Sequence, residues 1–198
     1  MKYNIVFFPG MIFHELSHLI ACLLFGVKVR KVKFFGLNEA YVVHEQPGAA
    51  KSVVITLAPF LLGNFIALSL FALSYNQLFF ERNFFGFVFL WLAFSLVMYS
   101  FPSNQDAKNT FDEFKEFYSF NLVKGNVLFK LFLLASIPFV FIPLFVLLGV
   151  MLLFNYSFKL RLLWVLFVFV LSFNQFYAFE IISYLAVFAD NTATFLFG

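Results

Sequence analysis

Five apolar stretches, each long enough to cross a lipid bilayer as a helix, make up most of this 198-residue sequence. A membrane span needs roughly 20 helical residues. The stretches lie at about 5–26, 52–75, 84–101, 127–154 and 160–189. The chain is 63% apolar and only 12% charged, whereas a soluble domain is about a quarter charged. The sequence therefore predicts one all-α polytopic integral membrane domain, residues 1–198, and excludes a soluble enzyme and a disordered chain.

Two polar connections between these stretches have recognisable patterns. Residues 27–35 alternate apolar and basic side chains with one slip at Arg30-Lys31, and a turn at 36–39 precedes an apolar segment at 40–43. This pattern predicts a small β-hairpin at the membrane surface, with a bulge at the slip. Residues 102–126 place aromatic side chains at helical spacing among charged ones, which predicts an interfacial amphipathic helix. In the fourth stretch, Pro138 and Pro143 predict a kink or a tilt.

The distribution of Lys and Arg predicts the orientation in the membrane. Five spans place on one side Lys28, Arg30, Lys31, Lys33, Lys51, Lys108, Lys115, Lys124 and Lys130. The other side receives Lys2, Arg82, Lys159 and Arg161. By the positive-inside rule the hairpin faces the cytoplasm and the N-terminus lies outside. These charges flank apolar segments, so no nucleic-acid partner is expected. No targeting segment is apparent, which favours a prokaryotic plasma membrane.

The first stretch contains His14-Glu15-Leu16-Ser17-His18. Two histidines four residues apart lie on one helix face, where both imidazoles reach one metal ion, and the intervening Glu15 can act as a general base. A third protein ligand would leave one position of a zinc ion open, as catalytic zinc requires. Ionisable side chains in the middle of a span are energetically costly, which favours a functional role. The alternatives are a polar helix-packing cluster and a metal-free proton relay.

Asp106 is the preferred third ligand. It follows the third stretch, where Pro102 should end the helix and free the backbone to fold into a polar pocket. Asp106 also suits the N-cap of a following helix. Two other side chains remain possible ligands: His44 on the second hairpin strand, and Glu180, an ionisable group within the fifth stretch.

The second stretch carries the segment Ala58-Pro59-Phe60-Leu61-Leu62-Gly63-Asn64. Pro59 and Gly63 permit helix distortion and close helix approach. The Asn64 amide lies well inside the apolar stretch, where it can donate a hydrogen bond to a substrate carbonyl or a developing oxyanion. An interhelical hydrogen bond is the alternative role.

These features, in this order, resemble the site-2 protease family of intramembrane zinc metalloproteases. The resemblance covers a core of about residues 5–110, and additional helices occupy about 111–198. It implies that His14, His18 and Asp106 bind zinc, that Glu15 is the catalytic base and that Asn64 lies near the site. The implied function is a zinc endopeptidase that hydrolyses peptide bonds in the transmembrane segments of substrate proteins within the lipid bilayer.

Two other functions are compatible with the same residues. One is a non-proteolytic membrane protein that retains a metal site and binds other proteins in a chaperone-like manner. The other is a small transporter, in which Glu180 and the two histidines would line a pathway.

Overall fold

The computed structural model of the chain describes residues 6–36 and 40–173. In chain order the elements are α1 (Phe8–Leu24), β1 (Val29–Lys33), β2 (Tyr41–His44), α2 (Ala49–Tyr75), α3 (Phe85–Met98), α4 (Asn104–Lys124), α5 (Val127–Ser136), α6 (Ile142–Tyr156) and α7 (Phe158–Phe173). A π-helical segment, Asn76–Phe80, extends α2, and another, Ile137–Phe141, joins α5 to α6. The described part is mostly helical with one small sheet, which confirms the predicted secondary-structure composition.

The predicted hairpin follows α1 directly. Strands β1 and β2 pair in antiparallel fashion from Val29 opposite His44 to Lys33 opposite Tyr41. The register shifts between Val29 and Lys31, which confirms the bulge predicted at the two consecutive basic residues. Both strands contact α1, so the hairpin lies against the helix that carries the two histidines. The predicted turn is described only in part, since residues 37–39 lie outside the described ranges.

Helices α1, α2, α3 and α7 pack side by side as a bundle. Helices α1 and α3 run parallel: Trp91 donates a hydrogen bond to the Val6 carbonyl over 2.9 Å, and the Gly10 N–H donates to the Ser95 hydroxyl over 2.7 Å. Gly10 is required there, because a Cβ atom at this position would overlap the Ser95 carbonyl. Helix α2 runs antiparallel to α3, with Gly63 beside Ser100. The buried core of this bundle consists of Ala67, Phe71, Ala93, Leu96, Val97, Met98, Val165 and Val168.

The bundle therefore has two ends. The hairpin end contains β1 and β2, the N-terminus of α2 and the C-terminus of α1, whereas α3 ends beside the middle of α2, where Ser100 meets Gly63. The opposite end contains the N-termini of α1 and α3 together with the π-helical segment after α2.

Within residues 6–36 and 40–173, two helical segments are long and apolar enough to cross a bilayer. They are Ala49–Phe80, with a mean hydropathy of 2.1, and Val127–Tyr156, with a mean hydropathy of 2.8. Helices α1 and α3 are apolar but shorter. These helices support a membrane protein, whereas the predicted five spans are not confirmed. The fifth predicted span is described only as far as Phe173, and the rest of it, including Glu180, lies outside the described residues.

The path of the chain after α3 differs from the prediction. The α5–α6 segment runs back alongside α4: the Tyr118 hydroxyl lies 2.7 Å from that of Ser136, and the Asn155 amide donates to the Pro102 carbonyl over 3.1 Å. Arg161, in the first turn of α7, donates to the Met98 carbonyl at the end of α3 over 3.4 Å. The five-span prediction placed Arg161 on the opposite side from this end of α3, whereas in the structure the two are in contact.

Two features explain this path. The helix is interrupted by the π-helical segment where Pro138 and Pro143 predicted a kink. Aromatic side chains then pair α6 with α4, with ring centroids 5.2 Å apart for Phe111 and Phe145. Helix α7 continues along α2 toward the opposite end, where Phe169 contacts Phe71.

Candidate metal centre

Helix α1 places the two histidines of the His-Glu-x-x-His motif one turn apart on a buried face. His14 and His18 expose only 8% and 5% of their surface. Their Nε2 atoms lie 3.1 Å apart, because side chains at positions i and i+4 of a helix are neighbours. The two imidazoles therefore direct their Nε2 atoms toward the same point.

The other ring nitrogen of each histidine meets a backbone carbonyl. The Nδ1 atom of His14 lies 2.6 Å from the Tyr99 oxygen, and that of His18 lies 2.9 Å from the Ile55 oxygen. A carbonyl only accepts hydrogen bonds, so both Nδ1 atoms carry the proton and both Nε2 atoms present a lone pair. Metal-binding histidines are oriented by such contacts.

Both carbonyls are available because of where they lie in their helices. Tyr99 follows the last residue of α3, where carbonyls lack an intrahelical partner. Ile55 lies inside α2, four residues before Pro59, and proline has no N–H with which to bond that carbonyl. Pro59 therefore releases the acceptor that orients His18.

Replacing Pro59 by Ala should weaken zinc binding about tenfold. The alanine N–H would compete for the Ile55 carbonyl and loosen the orientation of His18. A competition titration of the purified protein with a chromophoric zinc chelator measures the change. Pro143→Ala is the matched control, because Pro143 lies in the first turn of α6. Equal zinc affinity in the Pro59→Ala variant and the wild type would contradict this role of the Ile55 carbonyl.

Asp106 completes the cluster from the start of α4. Its Oδ2 atom lies 3.6 Å from Nε2 of His14, and its Oδ1 atom lies 3.5 Å from Nε2 of His18. The predicted N-cap role falls instead to Ser103, whose hydroxyl accepts from the Asp106 N–H while Asp106 Oδ2 accepts from the Ser103 N–H over 2.8 Å. This reciprocal capping box fixes the carboxylate.

Three buried hydroxyls attach the first two turns of α4 to α2. The Thr56 and Thr110 hydroxyl oxygens lie 2.6 Å apart, and Ser52 donates to Thr110 over 3.0 Å. Thr56 also donates to the backbone carbonyl of Asp106 over 3.2 Å. Sequence reasoning missed this network, although Ser52 and Thr56 share one helix face by their spacing, as do Asp106 and Thr110. The network determines where Asp106 meets the histidines.

The donor set fits a zinc ion. Ligand atoms of His14, His18 and Asp106 all lie within 4.8 Å of one another. Atoms about 2.1 Å from a tetrahedral zinc ion are about 3.4 Å apart, close to the 3.1, 3.5 and 3.6 Å observed. With both imidazoles neutral, two nitrogen lone pairs and a carboxylate converge, an arrangement that a bound cation would balance. Two imidazoles and a carboxylate are ligands that zinc accepts.

Glu15 lies beside this cluster. It is buried, and its carboxyl group interacts electrostatically with His14, His18 and Asp106. It also interacts with the backbone N–H of Val42 on β2. The hairpin therefore supplies a polar group to the region next to the predicted ligands.

The remaining predicted site residues lie elsewhere. His44 directs Nδ1 to the Glu45 carbonyl over 2.8 Å and is not part of the His14, His18 and Asp106 cluster. Asn64 forms the interhelical hydrogen bond that was the alternative to a substrate contact: its Oδ1 atom accepts from Trp164 on α7 over 2.9 Å. Its amide nitrogen donates to the Phe60 carbonyl over 2.7 Å. A substrate contact by Asn64 stays a prediction.

Comparison with known protein families adds an independent observation. Residues 8–105 match the family described as Peptidase M50B-like. This segment belongs to that family. The match confirms the resemblance to the site-2 protease family, and it includes His14, Glu15, His18 and Asn64. It ends one residue before Asp106, so the assignment of Asp106 depends on the geometry described above. No curated protein and no solved structure matches the chain.

Proposed function

We propose that this protein is an intramembrane zinc endopeptidase that hydrolyses peptide bonds in transmembrane segments of substrate proteins. The observation that carries the proposal is the convergence of His14, His18 and Asp106 with Glu15 beside them. The membership of residues 8–105 in a peptidase family supports it. The charge distribution supports an orientation in the membrane with the hairpin end cytoplasmic and the N-terminus outside.

The roles of the residues follow from their chemistry. His14, His18 and Asp106 would hold the zinc ion, which supplies Lewis acidity toward a peptide carbonyl and toward water. Glu15 would take the proton from the attacking water and pass it to the leaving amine. The Tyr99 and Ile55 carbonyls keep the imidazoles in orientation, and the Ser103 N–H does the same for Asp106. These contacts hold the groups in place before a substrate arrives.

Strand β2 is the part of the chain best suited to hold the substrate. A transmembrane helix hides its carbonyls in its own hydrogen bonds, so a scissile segment must be unwound. Strand β2 pairs with β1 along one edge, and Val42 on this strand directs its N–H toward Glu15. An unwound segment that adds to the outer edge of β2 would be held close to Glu15.

Replacing Val42 by Pro should reduce cleavage at least tenfold and leave the zinc content unchanged. Proline removes the N–H that faces the site, whereas zinc is held by α1 and α4. Initial cleavage rates and bound zinc, measured on the same preparation, give both quantities. Val42→Ala keeps the N–H and should retain cleavage. Undiminished cleavage by the Val42→Pro variant would contradict β-addition at this edge.

Cleavage of labelled transmembrane peptides by purified, reconstituted protein tests the proposed function. We expect hydrolysis that 1,10-phenanthroline abolishes and added zinc restores, because the ligand cluster would be emptied and refilled. A panel of fluorescein-labelled single-span peptides, with casein as an unfolded substrate, provides the probes. Zinc binding without hydrolysis of any probe would instead favour the non-proteolytic, chaperone-like function. Zinc flux into protein-containing liposomes would favour the transporter.

A further inference from the structure

The α5–α6 segment exposes an apolar surface that nothing in the described structure covers. Only 11% of its most apolar 18-residue stretch is buried. Between residues 127 and 156 the single charged side chain is Lys130. Leu128 and Phe139 each expose 79% of their surface. An apolar surface of this extent requires an apolar partner in place of water.

The path of this segment distinguishes between two ways of entering a membrane. A span joins the two ends of the bundle. The α5–α6 segment instead begins after α4, whose Glu116 accepts from Gln46 at the hairpin end over 3.4 Å, and it returns to Pro102, which lies close to the middle of α2. Helix α7 then starts against Met98 and runs from there toward the opposite end. Neither end of α5–α6 thus reaches the opposite end of the bundle.

Helix α4 gives the arm formed by α4, α5 and α6 two chemically different sides. Its Phe111 and Phe114 rings contact Phe145 on α6 at 5.2 and 5.9 Å. Its charged residues Asp112, Lys115 and Glu116 are exposed. Helical segments with one apolar side and one charged side typically lie in the membrane interface.

The charged group of Lys130 also fits an interfacial position. Its Nζ atom donates to the Val123 carbonyl near the end of α4 over 3.1 Å. The ammonium group therefore lies at the polar side of the arm while the aliphatic stem stays with the apolar helix.

We propose that α5–α6 does not cross the membrane but lies within the leaflet on the hairpin side, where lipid acyl chains cover its apolar surface. About 30 residues extend about 45 Å, enough for a long interfacial segment. The proposal moves Lys159 and Arg161 to the hairpin side. Of the chain's 13 basic residues, only Lys2 and Arg82 then remain on the other side. This stronger asymmetry agrees with the positive-inside rule.

Cysteine labelling tests the position of the α6–α7 junction. In a Cys22→Ala background, Lys159→Cys is compared with Lys28→Cys at the hairpin end and Arg82→Cys at the opposite end. A membrane-impermeant maleimide is added to intact cells and to inverted membrane vesicles. We expect Lys159→Cys to be labelled from the same face as Lys28→Cys. Labelling from the face that labels Arg82→Cys, or from neither face, would overturn the proposal.

Fluorescence quenching tests whether lipid acyl chains cover the apolar surface of α5–α6. A bimane label on Phe139→Cys is reconstituted in phosphatidylcholine vesicles that contain doxyl groups at acyl position 5 or 12, and Phe65→Cys near the middle of α2 calibrates depth. We expect stronger quenching of Phe139→Cys by the shallow group. Preferential quenching by the deep group would indicate a crossing helix, and no quenching by either would indicate a protein partner. Neither the labelling nor the quenching depends on catalysis, so a failure of the proposed peptidase activity would not affect the proposal about α5–α6.

Discussion

Replacing Glu15 by Gln should lower the rate of peptide hydrolysis by about 10²–10⁴-fold, the usual contribution of a general base. Glutamine keeps the size of the side chain but cannot take a proton from water. The carboxyl group of Glu15 is next to the ligand cluster without being one of the three converging ligands. The zinc content should therefore stay at the wild-type value.

The measurement combines initial cleavage rates of a transmembrane peptide with metal content by mass spectrometry on one preparation. Glu113→Gln is the matched control, since Glu113 lies on α4 outside the cluster. Full hydrolysis by the Glu15→Gln variant would remove Glu15 from the mechanism. Loss of zinc in this variant would instead show that Glu15 supports the metal site.

Replacing Asp106 by Ala should reduce zinc affinity by more than about 100-fold, because loss of a ligand exceeds the 10- to 100-fold effect of losing an outer hydrogen bond. Only two neutral imidazoles would remain to hold a doubly charged ion. Hydrolysis should be lost with the metal. Zinc content after purification, and affinity by chelator competition, measure the effect.

Asp106 also belongs to the capping box with Ser103, so the alanine variant loses a helix cap worth about 1 kcal/mol. Asp106→Asn separates the two roles, because its amide oxygen can still accept from the Ser103 N–H but carries no charge. We expect both variants to lose zinc and, when metal-free proteins are compared, only the alanine variant to be less thermally stable than the wild type. Asp112→Ala is the control on the exposed face of the same helix. Zinc retained in Asp106→Ala and lost in His44→Ala would move the third ligand to the hairpin.

Patterns within single helices predicted the parts of the site that depend on local geometry. The spacing of His14 and His18 places them one turn apart in any α-helix, whatever surrounds it. The alternation around Arg30-Lys31 predicted the hairpin and its bulge, since strand faces alternate with a period of two. Pro102 correctly marked the end of a helix, after which the chain turns and brings Asp106 back to α1.

Contacts between distant segments decided what these patterns left open. Whether Asp106 met the histidines depended on the packing of α4 against α2 through Ser52, Thr56 and Thr110. The role of Asn64 depended on α7, where Trp164 donates to it. Neither contact leaves a periodic signal in the sequence, because each involves residues more than 50 positions apart.

The sequence by itself determined the environment of this protein and the residues of its candidate site: long apolar stretches favour a lipid environment, and two histidines on one helix face, with a glutamate between them, form part of a cluster that could hold a metal ion. Only the tertiary structure decided which carboxylate joins them, which carbonyls orient them and where α5–α6 leads. Hydropathy reports the environment that a segment prefers but not the direction in which the chain runs through it. That direction is set by packing, here by the aromatic contacts between α4 and α6 and by the hydrogen bond of Arg161 to the end of α3.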